Sequence, residues 1–320
     1  MARVVARDGN FIFLEGFIGA AMRQPSTMMK AVESWRAALG PAAICLQRII
    51  ATLVLALPLS GFGSIEGLLA PSKDLWPRWA VADPASTAQI DHAAWSAILQ
   101  KYLVPGDVNR IRYAKVTPVD RRALESYIAG LAVVPITKYN RAQQLAYWIN
   151  LYNAVTVELV LEYYPIESIR DIDISPGWFA SGPWDKDRVT IEGQRLSLND
   201  IEHRILRPIW NDPRLHYALN CASLSCPNLQ PVAFTAENAD QLLDQGARDF
   251  INGRAVTSNG SRLIVSRIYD WFTEDFGGSE TGVLDHLRKY AAPPLAAKLA
   301  ARRRIDGEAY DWRLNDFEER

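Results

Sequence analysis

Asn140-Arg-Ala-Gln-Gln-Leu-Ala-Tyr-Trp-Ile-Asn-Leu-Tyr-Asn-Ala-Val-Thr-Val-Glu-Leu-Val-Leu-Glu-Tyr-Tyr164 is the stretch on which the architecture turns. Leu145, Trp148, Ile149, Tyr152, Val155, Leu159, Val160 and Tyr163 recur at helical spacing, and the opposite face is nearly as apolar. A helix that is hydrophobic on most sides belongs at the centre of a domain. Pro165 closes it, because proline cannot continue the hydrogen-bond ladder. Asn150 and Asn153 interrupt the apolar surface three residues apart, hence on one face. A buried amide must find partners, so the two either bond neighbouring loops or line a cleft and orient a catalytic ring.

On the N-terminal side, Thr117-Pro118-Val-Asp120 reads as a cap, a proline at the first helical position and an acid in the first turn of a helix running to about Ala132. Asp91 to Leu103 forms a shorter amphipathic helix, with Ala94, Ile98 and Leu99 inward. Residues 64–89, punctuated by Pro71, Pro77 and Pro84, are an irregular lead-in. On the C-terminal side, Arg188–Ile191 and Gln194–Leu196 flank Glu192-Gly193 as a β-hairpin. Ser197-Leu-Asn-Asp200 opens a short helix through Arg207, and Leu215–Leu219 reads as a buried strand. A helix follows from Thr235 to about Asn252, and Asn259-Gly260 turns into Arg262–Val265. Helices over Tyr269–Phe276 and Val283–Leu299 and a closing strand, Tyr310–Leu314, complete the pattern. Helices outnumber strands without alternating with them, which predicts a helix-rich α+β single domain on a small, mostly antiparallel sheet.

Residues 1–63 read as a leader. Ile49–Leu59 is an apolar run preceded by Arg48, and Gly61 and Gly63 stand at the −3 and −1 places of a cleavage site before Ser64. The run falls short of the roughly 20 apolar residues that span a bilayer. The reading is therefore export to the periplasm or cell envelope, through a signal peptide or an uncleaved membrane tether, with Met28 or Met29 as an alternative start. A net charge of −1 argues against broad nucleic-acid binding, which needs a basic face to displace counterions. No phosphate-binding glycine loop, HExxH, GxSxG or calcium loop occurs, and no cofactor is expected.

Chemistry concentrates in Arg214-Leu-His-Tyr-Ala-Leu-Asn-Cys-Ala-Ser-Leu-Ser-Cys-Pro-Asn228, which holds two of the three cysteines. If Leu215–Leu219 is a strand, His216, Ala218 and Asn220 share one face and Cys221 points to the other. Cys226, before Pro227, sits where free backbone N–H groups would favour a thiolate. The first constellation is thus Cys226 as nucleophile, His216 as base and Asn220 orienting the ring. His203 with Glu202 offers a second base, although neighbours on a helix point apart. An acid from among Asp270, Asp275, Asp311 and Asp316 could complete a triad with His216. Competing readings are a Cys221–Cys226 disulfide stapling the turn, a redox pair, and a metal site from His203, His216, Cys221 and Cys226. His92 and His286 read as solvated or structural.

Ala146–Ala154, Asp200–His203, His216–Pro227, Tyr269–Phe276 and Tyr310–Asn315, taken in order, resemble the DUF547 family over roughly residues 90–316. The resemblance implies membership of a family with no assigned function, exported in its bacterial relatives and intracellular in plant ones, and it carries over no catalytic residue. A distant likeness to papain- and transglutaminase-like folds, with a cysteine on a helix facing a histidine on a strand, is analogy alone. Two functions follow as expectations: a cysteine-dependent acyl-transfer hydrolase acting on an envelope peptide or amide, or a non-catalytic binding module with bridged cysteines. Either would meet an unidentified small molecule or peptide.

Overall fold

The helix Arg141–Tyr163 forms as its sequence dictates. Asn140 caps it by accepting from the Gln143 N–H at 3.0 Å, and 16 of its 23 residues are buried. The structure is a computed structural model that describes Gly67 and residues 70–176, 182–259 and 262–318. The leader expected over 1–63, with its Ile49–Leu59 run and cleavage site, lies outside the described residues, as do Gly177–Phe179 and the glycine of the Asn259-Gly260 turn.

In chain order the elements are α1 (Ala93–Tyr102), β1 (Leu103–Val104), β2 (Arg110–Ile111), α2 (Pro118–Ala132), α3 (Arg141–Tyr163), β3 (Val189–Ile191) and β4 (Gln194–Leu196). A π-helical turn, Asp200–Leu206, leads into α4 (Arg207–Trp210), and a 3-10 turn spans Pro213–Tyr217. Then come α5 (Ala239–Phe250), β5 (Val256–Asn259), β6 (Arg262–Ser266), α6 (Ile268–Trp271), a 3-10 turn Thr273–Phe276, α7 (Glu280–Tyr290), α8 (Pro293–Ala300) and β7 (Gly307–Ala309). The class is helix-rich α+β. The strands make two antiparallel hairpins, β1–β2 and β3–β4, and a three-stranded sheet in the order β5-β6-β7, whose last pair is parallel.

Among the described residues two hydrophobic clusters carry the fold. The first surrounds α3 with Trp79, Trp95, Tyr147, Trp148 and Phe234; the second gathers Phe250, Val265, Tyr269, Phe276 and Leu287 behind α5 and α7. The two asparagines of α3 act as backbone clamps. Asn150 accepts from the Phe234 N–H and donates to the Phe234 carbonyl, while Asn153 accepts from the Asn220 N–H and donates to the Ala218 carbonyl. Each therefore fixes a loop, and losing one would strand buried backbone groups at a cost of about 1–3 kcal/mol.

Local chemistry explains the remaining agreements and departures. Thr117 caps α2 as its spacing implies, accepting from the Asp120 N–H. Glu192 and Gly193 both take positive φ, 44° and 77°, the twist a two-residue hairpin demands. The Glu192 carboxylate is bound by Thr137 and Arg78, which holds this non-glycine residue in the left-handed region. Val283–Leu299 is two helices, because Pro293 and Pro294 begin a new one. Tyr269–Phe276 is likewise broken, into α6 and a 3-10 turn. The helix expected from Thr235 starts at Ala239, since Thr235 and Asn238 first cap one another. The closing strand is Gly307–Ala309, whereas Tyr310–Leu314 runs beside the cysteine loop.

A cavity with a thiol end and an imidazole end

The expected strand Leu215–Leu219 does not form. Asp212 caps the 3-10 turn Pro213–Tyr217 through the Arg214 N–H, and Pro213 sits in its first turn. In such a turn successive side chains diverge by a third of a circle. Leu215 therefore enters the first cluster, Tyr217 the second, and His216 is left facing a cavity of about 410 Å³. That cavity is also lined by Tyr152, Glu202, His203, Cys221, Cys226, Phe272 and Tyr310, so five of the six residues singled out from sequence meet there.

The exception is Asn220. Its Oδ1 accepts from the Ala222 N–H at 2.9 Å and its Nδ2 donates to the Pro227 carbonyl, so it shapes the loop and does not orient a ring. The bond to Ala222 is an Asx-turn, and it holds Ala222 at φ 58°. A non-glycine residue in the left-handed region costs on the order of 1–3 kcal/mol, and such strain clusters at functional sites. The effect is to turn the Cys221 side chain onto the cavity wall, where it is half-buried.

Both cysteines are free, so the bridge considered from sequence is not formed in the structure. Cys226 Sγ accepts from the Cys221 backbone N–H at 2.8 Å and lies 3.6 Å from the Leu219 carbonyl. Cys221 Sγ instead meets the Tyr310 hydroxyl at 3.0 Å and the Ser223 hydroxyl at 3.4 Å, while Ser223 donates to Tyr310 at 3.0 Å. Burial pushes the Cys221 thiol up, but hydrogen bonds from Cys226, Ser223 and Tyr310 outweigh it and bring it below the usual thiol range. Burial and the neighbouring Cys221 push Cys226 well up. The more acidic sulfur is thus Cys221, the reverse of the order expected from sequence, because Cys226 is fully buried at its place before Pro227.

The other end of the cavity is dense with charge. His216 Nε2 lies 2.7 Å from Asp275 Oδ2, its Nδ1 lies 3.7 Å from Glu202, and Phe272 stacks on its ring at 4.4 Å. Asp275 is the acid that the Tyr269–Phe276 motif contributes, and it also pairs with Lys73 at 2.8 Å and Arg207 at 2.6 Å. Burial alone would raise its carboxyl, yet His216, Lys73 and Arg207 hold it well below the usual carboxylate range. His203 Nδ1 is 2.9 Å from Arg207 Nη1, and burial holds the ring down at about 4. Glu202 and His203 face the same cavity despite being adjacent. They lie in the π-helical turn, whose i→i+5 bonds widen each turn so that neighbours diverge less than in an α-helix. No hydrogen bond joins either imidazole to either sulfur among the described residues. Nor do His203, His216, Cys221 and Cys226 form a group able to hold a metal among them. His92 and His286 are structural, each bonded to a buried tyrosine hydroxyl.

Tyr310 was missed as a site residue, as were Ser223, Tyr152, Arg207 and Phe272. The segment after β7 places Tyr310 by running alongside the cysteine loop. Leu224 donates to the Arg313 carbonyl, Ser225 to the Asp311 carbonyl and Asn315 to the Ala222 carbonyl. The only sequence signal for it was the Tyr310–Asn315 motif itself.

Residues 136–251 match the model of the family described as "Protein of unknown function, DUF547". The match takes in three of the five motifs named from sequence, Ala146–Ala154, Asp200–His203 and His216–Pro227. The matched span includes α3, the π-helical turn, His216 and both cysteines; Phe272, Asp275 and Tyr310 lie beyond it. No curated protein and no solved structure matches the chain.

Proposed function

We propose that the chain is a cysteine-dependent acyl-transfer hydrolase with Cys221, not Cys226, as nucleophile, acting on a peptide or amide. The observation that carries this reading is the Cys221 sulfur. It is half-buried on the cavity wall, held on a strained loop, and within hydrogen-bond distance of the Tyr310 hydroxyl, to which Ser223 donates in turn. A thiol activated by a lowered pKa needs no base in direct contact.

In the first step the sulfur bonds to the substrate carbonyl carbon and the bond to the leaving nitrogen breaks. That nitrogen takes a proton from the Glu202–His216 pair across the cavity. A water molecule then returns a proton to the pair as its oxygen bonds to the acyl carbon, and the thiolate departs. Asp275, on the far side of His216, keeps the ring in place during both transfers. An exported location rests on the Ile49–Leu59 run with Arg48 before it and Gly61 and Gly63 after it.

Mass analysis of the full chain treated with p-nitrophenyl acetate tests the reading. One acetyl group on the Cys221 peptide that disappears with time supports it. An acetyl group carried elsewhere, or a thioester that never hydrolyses, contradicts it.

A further inference from the structure

Next to the thiol, one wall of the cavity is built from aromatic rings. Trp271 and Tyr310 lie 4.8 Å apart, Tyr310 and Trp312 4.6 Å, Trp271 and Trp312 5.5 Å, and Trp184 stands 5.7 Å from Trp312. All four line the cavity. The acid–base assignments above use only the Tyr310 hydroxyl, which leaves the faces of these rings without a part in the chemistry. These rings are only half-buried, and their gathering beside a candidate nucleophile points to a flat group lying on them.

Arg170 adds a charge to that wall. Its guanidinium sits 5.2 Å over the Trp312 ring and also lines the cavity. It has no carboxylate within ion-pair distance among the described residues, whereas Arg207, Arg214 and Arg313 each have one. Asp171, adjacent in sequence, caps the Ser168 N–H, and of the acids on the lining Asp185 accepts from Asn199 at 2.6 Å and Glu202 faces His216. A planar fork held over an indole is preorganised to receive a carboxylate in two parallel hydrogen bonds. It also fills the place that a ligand cation would take on Trp312.

We infer that this wall is the acyl-side subsite: it takes a substrate with a flat ring against Trp271, Tyr310 and Trp312 and a carboxylate against Arg170. The assignment rests on the acyl-transfer reading for the word "acyl", but the recognition itself is independent of turnover. Because Tyr310 touches Cys221 Sγ, a group stacked on the wall has its adjoining carbonyl beside the sulfur.

Calorimetric titration of the full chain with 3-phenylpropanoate, its amide and 2-phenylethylamine tests the subsite without any reaction. The acid binds about threefold to tenfold more tightly than the amide, and the amine binds worst, since a bidentate pair on an exposed guanidinium lies at the upper end of what surface ion pairs contribute. Arg170→Met, an exposed position, abolishes the acid-to-amide preference, and Trp312→Leu weakens acid and amide together. The subsite is overturned if the amine binds as well as the acid, if no ligand binds, or if the preference survives Arg170→Met. Acetylation of Cys221 with none of this selectivity removes the subsite and keeps the nucleophile; the selectivity without acetylation removes the nucleophile and keeps a carboxylate-binding pocket.

Discussion

The two ends of the cavity are made differently. The thiol end sets hydroxyls and backbone groups around a half-buried sulfur on a loop that Asn153, Asn220 and the Tyr310–Asn315 segment hold in a strained turn, with Arg170 as the charge on the wall beside it. The imidazole end is a buried lattice of Lys73, Arg207, Glu202, Asp275 and two histidines, in which nearly every polar atom already has a charged partner. The contrast teaches that chemical residue type is a poor guide to role. The lattice, richer in catalytic residue types, ties the lead-in to α4 and the 273–276 turn, while the plainer end presents the group free to react.

The comparison breaks most visibly at the sulfurs. Cys221→Ser lowers p-nitrophenyl acetate turnover by about a thousandfold or more, as loss of a nucleophile does. Cys226→Ser keeps an acceptor for the Cys221 N–H and loses less than about tenfold. Steady-state assays on both variants decide between them, and equal losses would return Cys226 to the first place the sequence suggested.

At the other end the expected effect is on stability. Asp275→Asn leaves Lys73 and Arg207 facing a neutral group and destabilises the fold by about 3 kcal/mol or more, read from urea unfolding. Asp275 is depressed in the folded state, so its contribution is present above the unfolded carboxyl value and is lost as pH falls below about 4. The histidines act at higher pH. Burial holds His203, His92 and His286 at about 4, under the ordinary value of 6.5. The unfolded chain therefore takes up protons that the folded one refuses, and stability falls as pH drops from 6.5 towards 4. Urea midpoints at pH 7, 5.5 and 4.5 check the slope; a flat profile would mean these rings titrate normally.

The smallest effect sharpens the thiol end alone. Tyr310→Phe removes one hydrogen bond from Cys221, raises the pH at which the sulfur ionises and costs about 1 kcal/mol of stability. A thiol titration followed at 240 nm reads the direction of the first effect and urea unfolding the size of the second.

Much of this was legible in the sequence. Periodicity placed α3, cap chemistry placed α2, the Glu192-Gly193 pair placed the hairpin, and the cluster of His216 with two cysteines located the cavity. What periodicity could not show was the form of Leu215–Leu219. Five apolar or aromatic positions suit a strand as well as a 3-10 turn, and only Pro213 with the Asp212 cap tips the balance. That one change reassigned Asn220 from ring to loop and Cys221 from the wrong face to the cavity. Tyr310 was beyond reach for another reason: it lies 89 residues from the sulfur it touches, while Asp275, 59 residues from His216, was legible only as one of four candidate acids for that ring.

Alkylation of the folded, reduced full chain with iodoacetamide across pH 5 to 10, with the labelled peptide identified at each point, tests the central claim most directly. The account predicts that Cys221 reacts first and is half-titrated below the ordinary thiol value of about 8.5, with Cys226 protected until unfolding. Labelling of Cys226 ahead of Cys221, or a Cys221 that reacts only above that value, would contradict it.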